Sequence, residues 1–198
     1  MWPLMLVAFM ASYLIIDKAW RLYSLVRRYK KTRVIEKVRD LIKDKKISEA
    51  KKLLAKQGPT EKILQKAISY LEQGYSEEAI KDRLEMIYEE EIQTLDKGMP
   101  VILILGEIMP MLGLLGTVSG MIHVFKAITS HGTGDAQALA AGISEALLTT
   151  QVGLVLAIPT MFCYTLLNGK VEELSNYMRH AAGAVVTISR VLKKNETA

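Results

Sequence analysis

The chain has 198 residues; half are hydrophobic, 24% are Asp, Glu, Lys or Arg, and the formal net charge is +5 at pH 7. An ordinary soluble domain does not carry this much apolar sequence, and a disordered chain carries less. Most of the charge lies in 17–98 and 170–194, whereas apolar blocks fill 1–16, 99–128 and 136–167, the pattern of a membrane protein with a soluble portion. The basic excess follows the first apolar block, where positive-inside sorting places it, so it gives no reason to expect a nucleic-acid partner. The single cysteine, Cys163, lies inside an apolar run and can form no intramolecular disulfide.

Residues 1–23 are expected to form a first transmembrane helix with its N-terminus periplasmic. The block MWPLMLVAFMASYLII gives about 24 Å of helix, and Ala19, Trp20, Leu22 and Tyr23 extend it. Trp20 and Tyr23 suit the headgroup level. No basic residue precedes the run, which favours an uncleaved span over a signal peptide.

Residues 24–98 are predicted to be a cytoplasmic helical region. Residues 17–56 hold about fifteen Lys and Arg against about five acids. Ser48–Lys56 reads as a short capped helix stopped by Gly58-Pro59. A second helix is predicted over Thr60–Gln73, with Ile63, Leu64, Ala67, Ile68 and Leu71 as its apolar stripe and Gly74 as its stop. A third starts behind Ser76 as N-cap and runs through Ile80, Leu84, Ile87, Ile92 and Leu95. The region has no phosphate-binding loop, paired histidines or nucleophile–histidine motif, and it reads as a scaffold.

Gly98-Met99-Pro100 opens a second transmembrane helix over 99–128. Gly113, Gly116 and Gly120 recur at helical spacing, and Gly116/Gly120 is a small-xxx-small pair that lets backbones approach closely in lipid. Thr117 is expected on the Gly113/Gly120 face, and Pro110 is expected to kink the helix. Residues 129–135, TSHGTGD, have no Lys or Arg and are expected to be a short periplasmic turn. Residues 136–168 form the third predicted transmembrane helix, and 169–198 a cytoplasmic C-terminal helix that extends it, with an apolar face from Val171 to Val185.

The third span carries one carboxylate, Glu145, about two turns inside. Insertion of such a charge costs roughly 2.5–3.5 kcal/mol, so a functional role is the default hypothesis. Thr149 is one turn further on the same face, with Thr150 slightly rotated, and Gly142 and Gly153 flank that face. Three roles stay open for Glu145: relaying protons, keeping a lumen wet, or bonding a neighbouring helix as a neutral acid. Thr117 and Thr150 either line a pore or bond a carbonyl one turn earlier. His123 and His131 read as helix-end and turn residues rather than a proton wire. No cofactor or metal site is expected, and no Ser/His or paired-Asp constellation lies within the spans.

The stretches PMLGLLGTVSGMI (Pro110–Ile122) and ALAAGISEALLTTQVGLVLAIP (Ala138–Pro159) closely resemble the ExbB/TolQ family, relatives of the flagellar stator protein MotA. The resemblance implies an all-α inner-membrane motor subunit, with three transmembrane helices extended into a cytoplasmic helical bundle and no enzymatic activity. It implies a ring of typically five copies around the spans of an ExbD- or TolR-like dimer. Proton flow there would drive a TonB- or TolA-like protein. By the same resemblance Glu145, Thr117 and Thr150 fall on the family's pore positions, and Gln151 stands where a small residue is common. Glu107 is a second acid, near the start of the second span. A MotA-like stator subunit and a passive membrane scaffold are the alternatives; three apolar blocks rather than four argue against the first.

Overall fold

The computed structural model describes residues 2–31, 34–43, 47–54, 58–131 and 136–196. Among these residues the structure is helical with no strand: α1 (Trp2–Lys31), α2 (Val34–Lys43), α3 (Ile47–Leu53), α4 (Pro59–Glu72), α5 (Glu77–Asp96), α6 (Met99–His131) and α7 (Ala136–Glu196). Three helical stretches, in α1, α6 and α7, are long and apolar enough to cross a membrane. The chain divides into two units, residues 1–20 with 98–168, and residues 21–97 with 169–198.

The first unit holds the apolar helices. Ala11, Leu105, Met109 and Ala157 form a small buried cluster, and Val7, Ala8, Leu14 and Leu156 pack around it. The opposite face of α1 presents Trp2, Leu6, Phe9, Tyr13, Ile16 and Trp20 outward. An apolar face of this length suits hydrocarbon as its solvent. The two tryptophans, at 85% and 78% exposed, are the most open large side chains on that face together with Phe9.

The second unit is built as a water-soluble helical bundle is. In α4 the predicted stripe is buried at Ile63, Leu64, Ala67 and Ile68, and in α5 at Ile80 and Leu84. Pro59 begins α4 at its first position, where a missing N–H is harmless. The C-terminus of α4 closes with Gly74 at φ +74°. The amide of Tyr75 donates to the Tyr70 carbonyl and that of Gly74 to Leu71, the paired bonds of a Schellman stop. Ser76 caps α5 as expected, its hydroxyl accepting from the Ala79 amide at 3.3 Å. The Arg83 guanidinium lies 4.6 Å from the Tyr75 ring and 5.5 Å from the Tyr70 ring, fastening the turn through cation–π attraction. Val171, Leu174, Met178 and Ala181 of α7 are buried in this unit. The Tyr88 and Ser175 hydroxyls share a hydrogen bond of 2.8 Å, and Arg179 stacks on Tyr88.

Lys62 donates to Glu91 at 2.9 Å, and that bond, with the Glu91 charge, raises the lysine above its ordinary value. The pair's contribution is therefore complete below the ordinary lysine range and fades as pH climbs through the raised value. More than half of the Lys62 side chain is in solvent, which screens the pair.

Several boundaries differ from the sequence reading. α2 was not anticipated. α6 continues to His131, so Thr129 to His131 are helical rather than part of a turn; the Thr129 and Ser130 hydroxyls bond back to the Lys126 carbonyl. The rest of that turn, 132–135, and the expected end of the Ser48–Lys56 helix, 55–57, lie outside the described residues. Pro110 and Pro159 sit inside unbroken helices, and α7 is one helix of 61 residues, so 169–196 continue the helix of the third span.

Leu84 is buried and Met86, two residues on, is 71% exposed. Leu84→Ala is expected to lower stability by about 2–5 kcal/mol, and Met86→Ala to change it by less than about 0.5 kcal/mol. Thermal unfolding of the detergent-solubilised full chain, followed by circular dichroism, reads both.

Candidate functional site

Glycine spacing on α6 decides the geometry of the first unit. A Cβ on Gly113 would lie 2.9 Å from the Thr150 Cα, and one on Gly120 2.6 Å from the Ala146 Cβ. A Cβ on Gly116 would overlap the Thr149 side chain, meeting its Cβ at 2.8 Å. The glycines of α7 act in return. Gly153 lies against the Met109 carbonyl and the Gly113 Cα, and Gly142 against Val124. Successive contacts pair Gly106 with Met161, Gly113 with Gly153, Gly116 with Thr149 and Gly120 with Ala146, so α6 and α7 run antiparallel along one seam. Lipid tails are as apolar as leucine, so close van der Waals packing of this kind is what holds membrane helices together.

The hydroxyls of the region have different settings. Thr149 Oγ1 donates to its own-helix Ala146 carbonyl at 2.7 Å and, across the seam, lies 3.2 Å from the Gly113 carbonyl. Thr117 Oγ1 donates to the Leu114 carbonyl on its own helix at 2.7 Å, the bond to a carbonyl one turn back that is within reach of a helical threonine. Thr150 Oγ1 is buried and has no hydrogen-bond partner. Thr160, buried, donates to Leu156.

Glu145 precedes the buried Ala146 and is exposed on the chain taken alone. Thr149, one turn on, is drawn into the seam, whereas Glu145 sits at its margin. Gln151 and Glu107 are exposed as well. His123 Nδ1 pairs with the Ser119 carbonyl at 2.7 Å, and the His131 side chain lies outside the described residues. Two contributors escaped the sequence reading. Gly106, outside the glycine run singled out there, sits where a Cβ would be 2.7 Å from the Met161 sulfur. Ser119 lines a cavity with Thr149; its sequence signal was its place beside the Gly116/Gly120 pair.

Residues 55–180, well over half of the chain, match the MotA/TolQ/ExbB proton channel family. The chain belongs to this family. Among curated relatives, it is 33% identical over 117 residues to an ExbB homolog of Methanothermobacter thermautotrophicus. It is 36% identical over 84 residues to the Tol-Pal system protein TolQ of Haemophilus influenzae. It is 32% identical over 134 residues to the biopolymer transport protein ExbB of Salmonella typhimurium. These matches cover 59%, 42% and 65% of this chain, and 40%, 37% and 55% of the relatives' own lengths. The whole glycine seam lies within the family match.

The seam predicts opposite outcomes for two kinds of glycine. Gly116→Val forces apart α6 and α7 and is expected to destabilise by about 1–3 kcal/mol or more. Gly169 has no atom within 4 Å of its would-be Cβ, so Gly169→Ala is expected to be neutral or to stabilise by up to about 1 kcal/mol through helix propensity. Thermal inactivation midpoints of the purified variants in detergent distinguish the two.

Proposed function

We propose that this chain is the ring-forming subunit of a proton-motive-force-driven energy-transducing complex of the bacterial inner membrane. In this reading several copies, typically five in the family, surround the transmembrane helices of an ExbD- or TolR-like dimer. Proton movement through the assembly drives a TonB- or TolA-like protein, with this chain's N-terminus periplasmic and its C-terminus cytoplasmic. Family membership supports the proton-channel class, and the names of the curated relatives favour the ExbB/TolQ branch.

The observation that carries the reading is Glu145: an exposed carboxylate about two turns inside an apolar helix, at the margin of a closely packed helix pair. A charge in contact with lipid there is costly, so the surface that bears it belongs against water, a second copy or a partner helix. Thr150, with its buried unpartnered hydroxyl, and Thr117, whose hydroxyl keeps its acceptor lone pairs, are proposed to line the same path. Thr149 is proposed to hold that path's wall in register. One elementary charge crossing 100 mV releases about 2.3 kcal/mol, enough to bias the rotation of one helix assembly within another.

The test is proton flux into liposomes containing the chain and its single-span partner. Glu145→Ala is expected to lower flux at least about tenfold while the purified complex keeps its subunit count in native mass spectrometry, and Glu145→Gln to separate loss of charge from loss of shape. Undiminished flux in an assembled Glu145→Ala complex would show that this carboxylate takes no part.

A further inference from the structure

Beside the seam, Pro3, Leu4, Leu112, Leu115, Gly116, Ser119 and Thr149 line a half-open cavity of about 170 Å³. Most of its lining residues are apolar, but two carry hydroxyls, Ser119 from α6 and Thr149 from α7. Neither the seam nor the reading of Glu145 given above uses this space. Its volume is ample for several waters, since one needs only about 10–15 Å³ of such space. Thr149 spends its proton on the Ala146 and Gly113 carbonyls, so what it offers the cavity is acceptor lone pairs. Ser119 adds a hydroxyl that both donates and accepts. An acyl chain here would lay hydrocarbon on those oxygens, and a buried polar group without a partner is costly. Gly116 keeps the cavity roomy: a side chain there would occupy it and meet Thr149. Glu145 lies one helical turn from Thr149 on the same face.

We propose that this cavity is hydrated in the membrane and brings water to Glu145 from the α1 side, a lateral inlet distinct from a central lumen. Ser119 is then a positioning residue: it holds the water chain and does not itself exchange protons with the partner. The link to Glu145 rests on the proton-channel reading above; the hydration of the cavity does not.

The experiment uses the full chain assembled with its partner in liposomes, in a Cys163→Ala background. Ser119→Cys is exposed to a charged, membrane-impermeant methanethiosulfonate and, separately, to lipid-soluble N-ethylmaleimide. Leu154→Cys, on the outward apolar face, is the control. A hydrated cavity is expected to make Ser119→Cys react with the charged reagent at least about tenfold faster than the control. Reaction with the maleimide alone overturns the proposal, because hydrocarbon then fills the space. Ser119→Trp and the milder Ser119→Leu fill the cavity and are expected to lower proton flux severalfold in graded order. Rapid charged labelling with unchanged flux in both assembled variants overturns the inlet. Absence of flux in the unsubstituted complex defeats the proton-channel reading instead, and the labelling arm still decides whether the cavity is wet.

Discussion

Everything in the membrane unit depends on two backbones lying closer together than side chains normally permit. Along the α6–α7 seam, Gly106, Gly113, Gly116, Gly120, Gly142 and Gly153 each place a hydrogen where a methyl group would collide. That approach brings the Gly113 carbonyl within reach of Thr149 and buries Thr150 against Gly113. It also fixes which face of α7 remains for Glu145. The functional candidates are therefore set by a packing constraint that contains no charged group.

The second unit solves a different problem in a different solvent. Its helices bury leucine and isoleucine away from water, and its ends are closed by a serine cap, a left-handed glycine and an arginine between two tyrosines. Removing one large side chain there loses the hydrophobic driving force as well as contact. In the membrane unit the corresponding damage comes from adding atoms, because lipid replaces a lost apolar contact at little cost. The same chain therefore responds in opposite directions to truncation and to enlargement.

What could be read from the sequence was mostly local. The apolar stripe of α4, the Ser76 cap and the Gly74 stop involve residues within a turn or two of one another, and each was found where its chemistry put it. The glycine spacing on α6 was equally visible, because helical periodicity is a property of one segment. Relations between distant segments were not. Whether Thr149 or Thr150 bonds across the seam depends on the register of two helices, and nothing in either residue encodes that register. Gly106 meets Met161 for the same reason, and Ser119 and Thr149 line one cavity only because of how the two helices are registered. α2 was hidden differently: Val38 and Leu41 keep a helical spacing, but the surrounding lysines and arginines masked it as a sorting signal. Pro110 and Pro159 both lie inside helices that run on through them.

Both tryptophans of the chain stand on the outward face of α1. Eighteen helical steps separate them, roughly 27 Å along the axis, close to the ~30 Å thickness of a hydrocarbon slab. Tryptophan fluorescence of the unsubstituted protein therefore comes from a single helix, from two emitters held nearly a bilayer apart. Brominated phospholipids carrying the quencher at chosen depths would read the tilt and immersion of that helix directly, with no label attached.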